Sequence, residues 1–130
     1  MTLATVGGGF QLCDGNTAEI TFMTRSAATV ISAAYTLTTA DLESGIISAT
    51  SSGSYAVTTP SGASLDAEFT NAKVGSTFEL TITHGSATNV ITLTGDTGVT
   101  VVGLATVTGI TSGTWLFRKT GTGTWSAYRK

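Results

Sequence analysis

The amino-acid sequence predicts a mainly β protein, an antiparallel β-sandwich or barrel of about seven to nine short strands with one short helix. Composition is the first observation behind this fold class. The 130 residues include 28 threonines, 16 glycines and 13 serines, and threonine favours strands whereas glycine supplies turns. Short segments of alternating apolar and polar residues are the second observation, and closely spaced turn signals are the third.

The first 34 residues differ from the rest of the chain. Glycines 7–9 interrupt them early, and their best strand candidate is residues 18–24, with Ile20 and Phe22 on one face. Because this segment offers few large side chains, we expect an arm that orders on a neighbouring subunit, or else a set of leading strands. Residues 35–130 are predicted to form one compact β domain.

Clear local signals begin after Tyr35. Asp41 follows Thr38 by three residues, which predicts a capped single helical turn. Residues 46–50 and 54–58 are strand candidates on either side of a Ser-Ser-Gly turn.

One helix is predicted near residues 60–72. Thr59 is the expected cap, with Pro60 at the first helical position. Leu65 and Phe69 are four residues apart and therefore share a face, which we expect to pack on the core.

The strongest strand patterns occupy the second half of the chain. Phe, Leu and Ile alternate with polar residues over residues 77–83, and residues 90–94 continue the pattern after a loop around His84, which predicts an antiparallel hairpin. Residues 99–102 and 104–108 are shorter candidates. A near-repeat, GTWLFRK and GTWSAYRK, predicts a closing hairpin from residues 113–119 and 123–130.

No catalytic, cofactor-binding or metal-ligating constellation is visible. His84 and Cys13 are single residues about seventy positions apart, and we interpret them as a solvated loop histidine and a small buried thiol. The local acid pairs, Asp41 with Glu43 and Asp66 with Glu68, are better explained as helix-start and surface charges than as paired catalytic carboxylates. We therefore expect no enzymatic activity.

The aromatic residues of the terminal hairpin have two interpretations. Trp115, Trp125 and Tyr128 could form a platform for sugars or bases. We favour rings that cover the core, because Trp115 and Phe117 share one face of their strand.

The charge of the chain restricts the kinds of partner that it can bind. The net charge of −2 and a pI near 5.1 argue against nucleic-acid binding, and the uncharged run over residues 97–117 is too rich in glycine, threonine and serine for a membrane span. The last thirteen residues nevertheless carry four basic residues and no acid. This basic end is either solvated or docks on an acidic neighbour, and its members are Arg118, Lys119, Arg129 and Lys130.

Two long segments carry a resemblance to a known family. Residues 71–83 (NAKVGSTFELTIT) and 90–103 (VITLTGDTGVTVVG), together with Gly113-Thr114-Trp115, resemble small structural proteins of tailed bacteriophages, in particular head decoration (cement) proteins. The resemblance covers residues 35–130. It implies a non-enzymatic β domain that assembles as a homotrimer on the major capsid protein, on the capsid surface of the virion, after synthesis in the host cytoplasm.

Two functions are therefore carried forward. The leading hypothesis is a capsid decoration protein that stabilises the shell, with no cofactor, nucleic acid or membrane involved. The alternative is a phage tail or fibre module that binds a host-surface glycan. Low charge and many short hydroxyl side chains suit a large protein contact, because they reduce desolvation and entropy costs.

Overall fold

A computed structural model of the chain describes residues 5–6, 9–10, 24–50 and 53–130. Ten of the described strands form two mixed sheets, of six and four strands, and a two-stranded pair lies near the N-terminus. The elements in chain order are β1 (Thr5–Val6), β2 (Gly9–Phe10), β3 (Thr29–Ile31), β4 (Tyr35–Thr36), α1 (Thr39–Ser44), β5 (Ile46–Ala49), β6 (Tyr55–Thr58), α2 (Gly62–Glu68), β7 (Thr77–His84), β8 (Ile91–Thr94), β9 (Val99–Val102), β10 (Thr106–Val107), β11 (Ser112–Gly121) and β12 (Thr124–Arg129).

The chain alternates between the two sheets. The six-stranded sheet has the order β3-β5-β7-β11-β12-β9, and the four-stranded sheet has the order β10-β8-β6-β4. From β3 to β8, each strand joins the sheet that the preceding strand did not join. Neighbours within a sheet are therefore every second strand of the chain, and they run parallel: β3 with β5, β5 with β7, β4 with β6 and β6 with β8. The mainly β prediction is confirmed, and the prediction of a purely antiparallel architecture is wrong.

The predicted hairpin of β7 and β8 does not form, because the two strands lie in different sheets. β5 and β6, the strands on either side of the Ser-Ser-Gly turn, also lie in different sheets. The connections between them are long enough to cross from one sheet to the other, whereas a tight hairpin turn would have kept both strands together. Alternation indicates which side chains are buried, but it does not indicate which sheet a strand joins.

The closing hairpin is confirmed. β11 pairs antiparallel with β12 on one side and with β7 on the other, so it lies at the centre of the six-stranded sheet. Trp115 and Phe117 point to the same buried face, as their alternation predicts.

Both sheets contribute side chains to one hydrophobic core. The residues of the six-stranded sheet that are less than one tenth exposed include Ile47, Leu80, Ile82, Trp115 and Trp125, and those of the four-stranded sheet include Val57, Ile91, Leu93 and Val107. Burial of this apolar surface is the main stabilising contribution to the fold.

The predicted capped turn is confirmed as α1. The Thr38 hydroxyl accepts the Asp41 amide at 3.3 Å, while the Asp41 carboxylate accepts the Thr38 amide at 2.7 Å. Asp41 also accepts hydrogen bonds from the hydroxyls of Thr29 at 2.6 Å and Tyr35 at 3.2 Å. This buried carboxylate therefore links α1 to β3 and β4 and is not the expected surface charge. Burial opposes its ionisation, but the hydrogen bonds from Thr29, Thr38 and Tyr35 outweigh burial and lower the pKa of Asp41.

The second helix is shorter than the predicted one near residues 60–72. Ser61 caps it, accepting the Ser64 amide at 3.2 Å, so the expected cap Thr59 is wrong. The Thr59 hydroxyl is occupied elsewhere, because it accepts the Asp96 amide at 3.1 Å. Leu65 is fully buried, as its position in the pattern predicts.

Part of the predicted N-terminal arm belongs to the body. Residues 29–31 form β3, an edge strand of the six-stranded sheet, and Ile31 enters the core with 5% exposure. Cys13 and most of the strand expected at residues 18–24 lie outside the described residues.

Candidate interaction surface

The six-stranded sheet has one face in the core and one face toward solvent, which we call the outer face. Every second residue of its strands points outward, and these side chains are exposed or half-buried. On the central strand pair, the register places Glu79 opposite Leu116 and Thr81 opposite Thr114. The outer face is therefore a broad surface that no described element covers.

An apolar row crosses half of the outer face. Leu116 lies opposite Tyr128, and Tyr128 lies beside Val102 on the edge strand β9. Tyr128 is 37% exposed and Val102 is 41% exposed, although both are large apolar side chains. Ile46 and Val30 extend the apolar character toward the other edge, with 39% and 72% exposure. Such a row on an open sheet is typical of a contact surface.

Hydroxyl groups and a small number of charges surround the apolar row. The hydroxyls of Thr81 and Thr114 are 2.9 Å apart and hydrogen-bond across the strands. Lys130 forms an ion pair with Glu79 at 2.7 Å. Arg118 is exposed and forms no ion pair within the described part of the chain.

The four basic residues predicted as one end do not lie together. The antiparallel register places Arg118 opposite Ser126, near the hairpin turn, and Arg129 opposite Trp115 at the other end. Four residues separate Trp115 from Lys119 along β11, which corresponds to about 13 Å of strand. Arg118 and Lys130 belong to the outer face, whereas Lys119 and Arg129 turn toward the core.

Arg129 is bound internally. Its guanidinium carbon lies 4.7 Å from the centroid of the Trp115 ring, and Nη1 donates to the Thr106 carbonyl at 2.8 Å. The guanidinium occupies the space that the absent side chain of Gly113 leaves open. Because these internal contacts hold the guanidinium, it is not available to bind a partner.

Lys119 is also held by contacts within the protein. Its ammonium lies 3.0 Å from Asp66 and 5.9 Å from the centroid of the Trp125 ring. Asp66 further accepts the Gly123 amide at 2.6 Å and the Trp125 indole N–H at 2.9 Å. The Gly123 amide, Lys119 and the Trp125 indole together lower the pKa of Asp66. The expectation that Asp66 is a simple surface charge is thus wrong.

A groove opens beside the outer face, between it and the two helices. Its volume is about 560 Å³. Phe69 and Phe78 line it with ring centroids 5.3 Å apart, and Trp125 packs against both rings. Leu42 of α1 and Leu116 of the outer face complete the apolar part of the lining.

Glu43 of α1 lines the polar part of the groove. A hydrogen bond with the carboxyl of Glu68 on α2, then desolvation and repulsion from the Glu68 charge, raise the pKa of Glu43, which the sequence did not reveal. The two residues are 25 positions apart, so only the packing of α1 on α2 brings them together. Arg25 and Glu79 also line the groove.

His84 lies in the core and not in the predicted solvated loop. Strand β7 continues through it, its register partner is Ala49, and the residue is 3% exposed. Among the described residues, neither ring nitrogen has a hydrogen-bond partner, and the same holds for the indole nitrogen of Trp115. The interpretation of Cys13 as a small buried thiol concerns a residue outside the described ones.

The two tryptophans cover the core, as we favoured, because Trp115 is fully buried and Trp125 is 2% exposed. The described residues contain no group of three or more His, Cys, Asp or Glu side chains that could hold a metal ion. Within the same part of the chain, no helix is long and apolar enough to cross a membrane. Comparison with protein-family models, curated proteins and solved structures finds no match.

Proposed function

We propose that the protein is a virion structural protein, a capsid decoration protein that binds the major capsid protein and stabilises the shell. Its resemblance to phage cement proteins supports this function, and one structural observation carries it: the apolar row on the open outer face, in which Tyr128 and Val102 are exposed and Leu116 is half-buried. No part of the proposed function requires a cofactor, a nucleic acid or a membrane.

The outer face has the composition of a protein contact. Tyrosine and arginine are the residues that most often dominate binding, and Tyr128 and Arg118 both lie on this face. The surrounding threonine and serine hydroxyls lose little rotamer entropy on contact. The six strands contain 35 residues in all, which at about 3.3 Å per residue and about 4.8 Å between strands gives the face an area on the order of 500 Å². Two such surfaces reach the roughly 1,000 Å² expected of a specific interface.

Self-association as a homotrimer is the second part of the proposal. The edge strands β3 and β9 contain no Lys, Glu or Pro, the residues that normally block strand addition. The strand pairings make β3 and β9 run in the same direction, so a head-to-tail copy would pair them in parallel. Head-to-tail contacts of this kind form a ring such as a trimer when the rotation between copies closes, and open filaments when it does not.

The glycan-binding alternative has less support. The two tryptophans proposed as a sugar platform are buried, and of that aromatic set only Tyr128 is exposed. A stacking platform requires an accessible ring face.

The test adds the protein to undecorated capsids and measures co-sedimentation and the temperature at which the capsids disrupt. We expect the wild type to co-sediment and to raise that temperature in proportion to occupancy. Tyr128→Lys and Val102→Lys should weaken binding at least about tenfold, because each places an ammonium in the apolar row. Val74→Lys is the matched control, since Val74 is 63% exposed but lies in the connection between α2 and β7.

Light scattering at micromolar concentration tests the homotrimer separately. A protein that is monomeric and leaves capsid stability unchanged would remove the proposed function. Equal losses for Val74→Lys and Tyr128→Lys would remove the outer face as the binding surface.

A further inference from the structure

Strand β3 is the shortest strand of the six-stranded sheet and lies at its edge. It contains three residues and pairs only with β5 among the described strands. Residues 24–28 before it and residues 32–34 after it are all exposed. Beyond the strand pairing, Ile31 is buried in the core and its carbonyl accepts the Thr50 amide at 2.9 Å. The position of β3 therefore depends on few contacts.

One carboxylate connects this strand to the rest of the body. Oδ1 of Asp41 accepts the hydroxyl of Thr29, the first residue of β3, at 2.6 Å. Oδ2 accepts the Tyr35 hydroxyl of β4 at 3.2 Å, and the amide and hydroxyl of Thr38 at 2.7 Å and 2.9 Å. Asp41 is only 7% exposed. A single buried side chain of α1 thus receives hydrogen bonds from the strands on both sides of the exposed connection 32–34.

The strength of these bonds depends on the charge of the carboxylate. Hydrogen bonds to an ionised oxygen are roughly twice as strong as those between neutral groups. Protonation also turns one of the two acceptor oxygens into a donor. Because Oδ2 already accepts from three donors, Oδ1 is the oxygen that can take a proton, and Oδ1 is the one that binds Thr29. Protonation of Asp41 therefore acts most directly on the bond to β3.

No charged group on the strands around Asp41 can substitute for these bonds. β3, β4 and β5 contain no Asp, Glu, His, Lys or Arg, and Tyr35 is the ionisable side chain in direct contact. The charged residues beside α1, on α1 itself, on α2 and on β7 are Arg25, Glu43, Asp66, Glu68 and Glu79. Burial raises the pKa of Asp41, whereas the hydrogen bonds from Thr29, Thr38 and Tyr35 lower it and prevail.

We propose that Asp41 is an acid-sensitive latch on β3: the ionised carboxylate holds β3 on the sheet, and its protonation lets β3 leave β5 before the rest of the body unfolds. Opening of this kind removes a three-residue strand pairing and one core side chain, Ile31. The other nine described strands of the two sheets keep their neighbours. The inference concerns contacts inside one chain, so it does not rest on capsid binding.

The pH dependence of the latch has a definite sign. Because the pKa of Asp41 is lowered in the folded state, the latch is complete above the ordinary Asp pKa of about 3.9 and is lost as the pH falls through the folded value. At neutral pH β3 is therefore attached, and acid releases it.

The test measures amide hydrogen exchange by nuclear magnetic resonance at two positions. The Thr50 amide reports the attachment of β3, because it donates to the Ile31 carbonyl. The Leu93 amide is the reference, since it donates to the Ala105 carbonyl at 2.8 Å in the other sheet. As the pH falls below the ordinary Asp pKa of about 3.9, we expect the protection factor of Thr50 to fall at least about tenfold relative to that of Leu93.

Variants separate the latch from the titration of other groups. At neutral pH, Thr29→Val removes the hydroxyl bound to Asp41, leaves the cap of α1 intact, and should lower the relative protection of Thr50 about tenfold. Asp41→Asn removes the charge and should lower it at least as much. Asp96→Asn is the matched control, because it removes an exposed carboxylate in the turn before β9, and should leave Thr50 unchanged.

The pH profile distinguishes a latch from a residue that only stabilises the fold. Acid should lower the relative protection of Thr50 much less in Thr29→Val than in the wild type, because the bond is already absent. Three results would overturn the inference: an equal acid response in these two proteins, equal losses of protection at Thr50 and Leu93, or equal effects of Asp41→Asn and Asp96→Asn. If Asp41→Asn does not fold by circular dichroism, Thr29→Val decides alone.

Discussion

The two ends of the terminal hairpin contain the same pair of residue types but are held in different ways. At one end Trp115 lies opposite Arg129, and at the other end Trp125 lies opposite Lys119. The Trp125 end is fastened to α2 through Asp66, which binds both the indole and the lysine. Within the part of the chain that the structure describes, the Trp115 end has no such partner, and its buried indole nitrogen has no hydrogen bond.

This reciprocal pairing is a direct result of the near-repeat. In each copy a basic residue follows the tryptophan by four positions, and the antiparallel register joins the tryptophan of one strand to the basic residue of the other. The repeat therefore specifies the cation-π contacts. It does not specify the third partner, because Asp66 comes from a helix that is distant in sequence.

The largest expected effect is at the α2 end, where Gly62, Gly98 and Gly123 meet. A Cβ on Gly62 would overlap the backbone carbonyl oxygen of Gly123, which cannot move without shifting the hairpin turn. We expect Gly62→Ala to lower the free energy of unfolding by on the order of 3 kcal/mol, although alanine normally favours a helix. Urea denaturation followed by circular dichroism measures this loss.

Gly85→Ala is the control for that substitution, because a Cβ there meets only ordinary contacts at 3.4 Å. A Gly62→Ala protein as stable as the wild type would show that the helix is not fastened to the hairpin turn.

The next prediction compares the two tryptophans directly. Trp125→Phe and Trp115→Phe each remove similar buried volume and should each lower stability by on the order of 1–3 kcal/mol. Trp125→Phe additionally removes the hydrogen bond to Asp66, whereas Trp115→Phe removes a nitrogen that has no hydrogen-bond partner among the described residues. Trp125→Phe should therefore be the more destabilising of the two in urea denaturation, and equal losses would contradict the difference between the ends.

Much of the local structure could be predicted from the sequence. The capping box at Thr38, the buried face of β7 and the terminal hairpin all depend on residues close in the chain. Their signals are short-range spacing and alternation, which a single sequence contains.

Sheet membership and the buried polar contacts could not be predicted in the same way. The connections after β5 and β7 permit either a hairpin or a crossing to the other sheet, and only packing of the whole core decides between them. The glycine after His84 predicts a loop at this position, yet β7 includes His84. The Glu43–Glu68 contact depends on how two helices pack, for which neither residue carries a local signal.

A smaller effect is expected at the Trp115 end. A Cβ on Gly113 would lie 2.6 Å from the Arg129 guanidinium, which is the end of a flexible side chain and can move away. We expect Gly113→Ala to cost about 1 kcal/mol by displacing Arg129 from the Trp115 ring. Denaturation gives the cost, and a cycle with Arg129→Gln tests the cause, because the two substitutions should then not be additive. Additive losses would show that Gly113 acts independently of Arg129.

The smallest effect is a difference in acid response between the two ends. The pKa of Asp66 is lowered in the folded state, so its contribution to stability is fully present above the ordinary Asp pKa of about 3.9 and is lost as the pH falls through the folded value. Protonation weakens its bonds to Lys119, Gly123 and the Trp125 indole.

Trp115→Phe leaves Trp125 as the only tryptophan, and Trp125→Phe leaves Trp115, so fluorescence can report each end separately. As the pH falls below the ordinary Asp pKa of about 3.9, we expect Trp125 emission to change first, while Trp115 emission changes only with global unfolding. Simultaneous changes would mean that Asp66 does not hold its end of the hairpin independently. Because Asp41 also has a lowered pKa and is present in both variants, its acid response is common to them and cancels in the comparison.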